Sequence, residues 1–176
     1  RARADHAIVA DGSGVKHGMR AARGAIERLK IFGDFDVHYK VIGNCEPRGI
    51  CGSGLIDAIA ELLRNGCIDR KGRFIADACD NHLRKSDSGE TEFILFSGSH
   101  TALGKDIMLA EADINNLIHS KGSIYMAAEC LMAHVDMTLA NVKHFYIAGG
   151  FGNYLDIERA MEIGLLPDVE RNRFHF

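Results

Sequence analysis

Three stretches combine glycine with a few polar side chains in the pattern that backbone-mediated anion binding requires. In the first, four apolar residues, Phe145, Tyr146, Ile147 and Ala148, run straight into Gly149, Gly150, Phe151 and Gly152. That order reads as a buried strand breaking into a turn that opens a helix. Glycine permits positive φ and close approach of a ligand to peptide groups, and the first turn of a helix offers free N–H groups to an anion or a nucleobase. A second stretch, Arg48–Asp57, carries Gly49, Gly52, Ser53 and Gly54 directly ahead of a helical pattern. The third, Asp11–Arg20, sets a carboxylate, Asp11, and the cations Lys16 and Arg20 around Gly12, Gly14 and Gly18. Each stretch alone reads equally as a tight connection without a ligand. Three in one small domain point to phosphate handling.

The elements that must position these turns follow from periodicity. His6–Ala10 reads as a short strand, and Ala25–Phe32 with Val37–Ile42 as a hairpin about Gly33–Asp36, although 24–29 also fits one helical turn. Leu55, Ile56, Ile59, Leu62 and Leu63 recur at helical spacing, with Ser53 expected as N-cap and Asn65–Gly66 as the stop. Residues 66–90 read as irregular, and Thr91–Phe96 and Ile107–Leu109 as strands. A long helix is expected over Glu111–Leu139, with Met126, Met132 and Met137 filling core gaps. Lys121–Gly122 interrupts its apolar face, which suggests a close packing partner or a ligand there. A strand over 144–148 is expected at the centre of the sheet, with the long helix across it. A short helix capped by Asp156 follows, closed by Gly164 and Pro167.

At 176 residues and 47% hydrophobic, the chain suffices for one well-buried domain spanning 1–176. A net charge of −3 and a pI near 6.3 give no electrostatic footprint for nucleic acid, and no apolar run approaches a membrane span. No secretory signal is seen at 1–10, so a cytoplasmic protein is expected. Five cysteines, Cys45, Cys51, Cys67, Cys79 and Cys130, lack metal-ligand spacing and read as free thiols. Neither an iron–sulfur cluster nor structural zinc is expected on them. His17, beside Lys16, reads as a solvated loop histidine. Arg173–Phe176 reads as a strand that has only begun, so a fragment is expected.

Gly12–Ala21, Pro47–Asp57, Tyr146–Leu155 and Gly164–Asp168, in this order and spacing, resemble the C-terminal ATPase region of the reductive activators of corrinoid proteins. The resemblance covers nearly the whole chain. It implies an α/β, RNase H-like lobe of the actin, sugar kinase and heat-shock ATPase superfamily, a mixed sheet with flanking helices, here most of a C-terminal lobe. It also implies an activity: ATP drives the uphill one-electron reduction of cobalt(II) to cobalt(I) in a corrinoid protein of a methyl-transfer system. The iron–sulfur cluster that supplies the electron would lie in a part of the protein outside this chain, and a homodimer is the implied assembly.

Residue by residue, the resemblance implies ATP and magnesium as ligands. Asp11 would hold magnesium through water, in place of the family's usual glutamate, and Gly12 and Gly14 would face phosphate oxygens. Gly149, Gly150, Phe151 and Gly152 would form the adenosine loop, Lys121 would reach the nucleoside from the long helix, and Gly52, Ser53 and Gly54 complete the nucleotide-binding set. No catalytic residue is assigned. A small-molecule kinase of the same superfamily, and a non-catalytic interaction module whose glycines merely turn corners, remain as alternatives.

Overall fold

The computed structural model describes residues 14–148 and 154–176. Strand β1 (Ala25–Ile31) and strand β2 (Val37–Val41) form the expected antiparallel hairpin, with Leu29 opposite Tyr39 and Ile31 opposite Val37. The helical alternative for 24–29 is excluded, because Ala25, Ile26, Leu29 and Ile31 are all buried on a strand. Strand β3 (Gly49–Ile50) adds in parallel to the start of β1. Helix α1 (Gly52–Arg64) then lies across this sheet, with Leu55, Ile56, Ile59 and Leu62 buried as their spacing predicts.

A second, antiparallel sheet consists of β4 (Leu83–Lys85), β5 (Thr91–Phe96) and β6 (Ile107–Ala110). A four-residue helix, α2 (Ala76–Cys79), precedes it. Residues 66–90, expected to be irregular, therefore contain both a short helix and a strand. Phe93 on β5 is fully buried, which stabilises by about 2–3 kcal/mol. β6 runs directly into the long helix α3 (Glu111–His134), whose Asp113 carboxylate accepts the Ala110 N–H at 3.0 Å and so caps its first turn.

Two expectations about the C-terminal half need correction. Helix α3 stops at His134 rather than Leu139, because Asp136 turns left-handed at φ 52° and the Met137 N–H bonds back to the Met132 carbonyl at 2.9 Å. Only its first half is core, at Ile114 and Leu117. Ile124, Met126 and Leu131 are 53%, 62% and 71% exposed, so the methionines do not fill the core as expected. Gly122 has open space where a side chain would sit, so no close neighbour explains it.

The strand expected over 144–148 is the two-residue β7 (Phe145–Tyr146), paired in parallel with β8 (Phe174–His175). It is not central among the described residues. Phe145 and Ile147 are half-buried while Tyr146 is 77% exposed, so this apolar run buries one face rather than two. Helix α4 (Ile157–Glu162) follows, and Asp156 caps it as expected by accepting the Arg159 N–H at 3.2 Å.

Candidate nucleotide site

Of the expected site residues, Asp11, Gly12, Gly149, Gly150, Phe151 and Gly152 lie outside the described residues; Gly14, Gly52, Ser53, Gly54 and Lys121 lie within them. Gly14 begins a segment docked onto the start of α3. Its carbonyl accepts from Asn116 Nδ2 at 3.0 Å, and the Lys16 N–H donates to Asp113 at 2.9 Å. The chain then joins the first sheet, where the Met19 N–H donates to the Ile50 carbonyl at 2.9 Å. The segment that follows Asp11 and Gly12 is thus anchored to the start of α3 and to strand β3 of the first sheet.

Lys16 is committed rather than free for phosphate. Its ammonium donates to Glu92 Oε1 at 2.5 Å, and Arg84 Nε reaches Glu92 Oε2 at 3.2 Å. Glu92 is fully buried on β5. Burial pushes its carboxyl up, but the hydrogen bonds from Lys16 and Arg84 outweigh it and hold the group below its ordinary range. His17 next to it is half-buried, not solvated, with Nε2 lacking a hydrogen-bond partner; burial and then the Lys16 charge keep it below the ordinary histidine range.

A depressed carboxyl stabilises the fold above the ordinary glutamate range and loses that contribution as pH falls through the folded-state value. Glu92→Gln is therefore expected to cost about 2 kcal/mol at neutral pH. The gap between variant and parent in thermal midpoint should narrow on acidification below the ordinary glutamate range. A gap that stays constant down to acid unfolding would show that the charge of Glu92 contributes nothing.

The second glycine run meets the sheet. Gly52, Ser53 and Gly54 are all buried at the start of α1. Cys51, not Ser53, is the N-cap, because the Ser53 hydroxyl donates instead to the Glu27 carbonyl at 3.0 Å. A Cβ on Gly54 would lie 2.3 Å from the Ile26 carbonyl oxygen, so the close approach that this glycine permits is to β1.

Lys121 sits midway along α3, and its ammonium donates to the Ile163 carbonyl at 2.7 Å, at the end of α4. Gly164, at φ 70°, reverses the chain there. Lys121 also lines a cavity of ≈ 570 Å³ between α1, α3 and the end of α4, with Ile59, Leu63, Ile114 and Leu117 on its apolar side and Asp69, Arg70 and Glu162 as polar groups. Gly72 also lines it, and a side chain there would collide with Ile114 and Ile118. An apolar floor with a few charged groups, at this volume, suits a small organic ligand such as a nucleoside. Asn116, which holds the Gly14 carbonyl, precedes Lys121 on the same helix by about 7.5 Å of axial rise.

A third feature has no local sequence signal. Asp57 and Glu61, 1% and 2% exposed on α1, face Arg159 of α4, which is itself 9% exposed. Arg159 bonds to Asp57 Oδ2 at 2.7 Å and to Glu61 Oε1 at 2.8 Å, and donates to the Leu29 carbonyl. Among the described residues, no three His, Cys, Asp or Glu side chains converge as a metal site, and no helix is long and apolar enough to cross a membrane.

The chain belongs to the family described as the C-terminal domain of RACo, the ASKHA domain, which matches residues 9–176. It is 37% identical over 166 residues to the corrinoid activation enzyme RamQ of Eubacterium limosum, covering 91% of this chain and 28% of that protein. A [Co(II) methylated amine-specific corrinoid protein] reductase of Methanosarcina barkeri is 23% identical over 187 residues, covering 94% and 31%. The solved structure of a reductive activator for corrinoid, iron–sulfur protein superposes with a TM-score of 0.88 at 45% identity, over 94% of this chain and 26% of that one. The chain thus spans less than a third of the length of these relatives.

Proposed function

We propose that this chain is the nucleotide-binding part of an ATP-dependent reductive activator that returns a cobalt(II) corrinoid protein to cobalt(I). The observation that carries the reading is the family match over 9–176, together with relatives named for corrinoid activation and reduction. The cavity beside Lys121 supports it: its apolar floor suits a base and its lysine suits a ribose or phosphate oxygen. In this reading Gly149, Gly150, Phe151 and Gly152 pass the adenosine by backbone. Gly12 and Gly14 face phosphate, and Gly52 and Ser53 support them from the start of α1. Asp11 holds magnesium through water, which would neutralise phosphate charge there. The electron comes from an iron–sulfur domain elsewhere in the protein, and the acceptor is a corrinoid protein of a methyl-transfer system in the cytoplasm, served by a homodimer.

The test uses the full-length protein, reduced under anaerobic conditions and mixed with a cobalt(II) corrinoid protein. Cobalt(I) absorbance is expected to appear with ATP and to be absent without it. Equal cobalt(I) formation in both cases would overturn the reading, and a phosphorylated small-molecule product would replace it with the kinase reading.

A further inference from the structure

Backbone pairing holds β7 to β8 over a short distance only. The ladder is two residues long, Phe145 against Phe174 and Tyr146 against His175, extended by the Ile147 N–H, which donates to the His175 carbonyl at 2.8 Å. A pair of strands this short is marginal in water unless side chains support it. One face carries that support. Because side chains alternate along a strand, residues 144 and 146 share a face with 175, the in-register partner of 146. There His144 Nδ1 and His175 Nε2 meet at 2.8 Å, and Tyr146 stacks on His175 with ring centroids 5.1 Å apart.

We propose that His144 and His175 form an open binding site for a transition-metal dication of the nickel and zinc class, and that the bound ion clamps β7 to β8. Such a clamp stands apart from the nucleotide reading, since no residue of the nucleotide set belongs to it. Imidazole nitrogen is a ligand that these ions favour. With metal–nitrogen bonds of about 2.0–2.1 Å, an ion held by two imidazoles at roughly 90–110° sets the nitrogens about 2.9–3.4 Å apart. The rings therefore have to part by no more than about 0.6 Å from their present contact. His144 is exposed, which gives the ion a way in from solvent. The hydrogen bond between the rings needs one donor, whereas the ion needs a lone pair from each; the donor ring supplies it by carrying its proton on its other nitrogen. Among the described residues no third His, Cys, Asp or Glu joins the pair, so water fills the remaining positions.

The test is equilibrium dialysis of the full-length protein against nickel(II) under anaerobic conditions, with metal counted by elemental analysis in the parent, His144→Gln, His175→Gln and the double variant. Nickel is the probe because zinc is drawn more strongly to thiolates, and Cys130 is exposed. The parent is expected to bind one nickel(II) more than the double variant, and each single variant to hold that ion at least about tenfold more weakly. Hydrogen exchange over 144–148 and 173–176 reads the clamp itself. Nickel(II) should slow it in the parent and leave it unchanged in the double variant. Equal nickel counts and affinities in the parent and the double variant overturn the inference, as does an ion that survives the loss of either histidine. A parent whose exchange over these strands does not respond to nickel(II) overturns it as well, whatever the variants do.

Discussion

A Gly150→Val change in the full-length protein is expected to lower ATP affinity about a hundredfold, or about 2.8 kcal/mol, while the thermal midpoint without nucleotide moves little. If the segment that carries Gly149, Gly150 and Gly152 passes the adenosine by its backbone, an isopropyl group at its centre occupies the surface meant for the ligand. Among the described residues the hydrophobic core is formed by side chains such as Ile26, Leu55, Phe93 and Leu109. Isothermal titration with ATP on parent and variant decides the matter. A variant that binds ATP and supports cobalt reduction like the parent would make the segment a simple turn and favour the interaction-module reading. If the isolated chain supplies only one side of the ATP site, it is expected to bind ATP no tighter than about millimolar, where the free energy is about −4 kcal/mol.

How much of this was legible depended on whether the signal was local. Helix α1 was legible because Leu55, Ile56, Ile59 and Leu62 repeat at helical spacing and all point one way. The cap at Asp156 was legible because capping is a contact over three residues. The hairpin of β1 and β2 showed as two β-rich runs about a glycine turn. Strands β3 and β4 were missed because two or three residues carry no period. The exposed half of α3 was misread for a different reason: Ile124, Leu131 and Val135 continue the spacing set by Ile114 and Leu117, and spacing alone does not say where a partner surface ends. The site shows the same division. Lys16 looked available for phosphate because its partner, Glu92, lies 76 residues away. Asp57 and Glu61 sit four apart on an otherwise apolar face, which marks them as unusual, but Arg159 lies 98 residues beyond Glu61 and no local pattern joins them.

Two glycines inside helices should respond to the same substitution with opposite signs. At Gly54, a methyl group would meet the Ile26 carbonyl oxygen at 2.3 Å and the Ile50 side chain at 3.0 Å. Backbone cannot move aside as a flexible side chain would, so α1 must lift from β1 and loosen the contacts of Leu55 and Ile59. Gly54→Ala is therefore expected to destabilise by about 3 kcal/mol, which for a domain of this size lowers the thermal midpoint by roughly 10 °C. At Gly122, in α3, nothing lies within 4 Å of the added methyl. There the substitution removes only the flexibility of glycine in the unfolded chain, and Gly122→Ala is expected to stabilise by about 0.5–1 kcal/mol. Thermal denaturation of the two variants beside the parent checks both. A tolerated Gly54→Ala would mean that α1 is not held at its present distance from β1, and the account of why the second run is rich in glycine would fall with it. The residue would then be open to a ligand role, because a glycine not needed for packing is free to admit one.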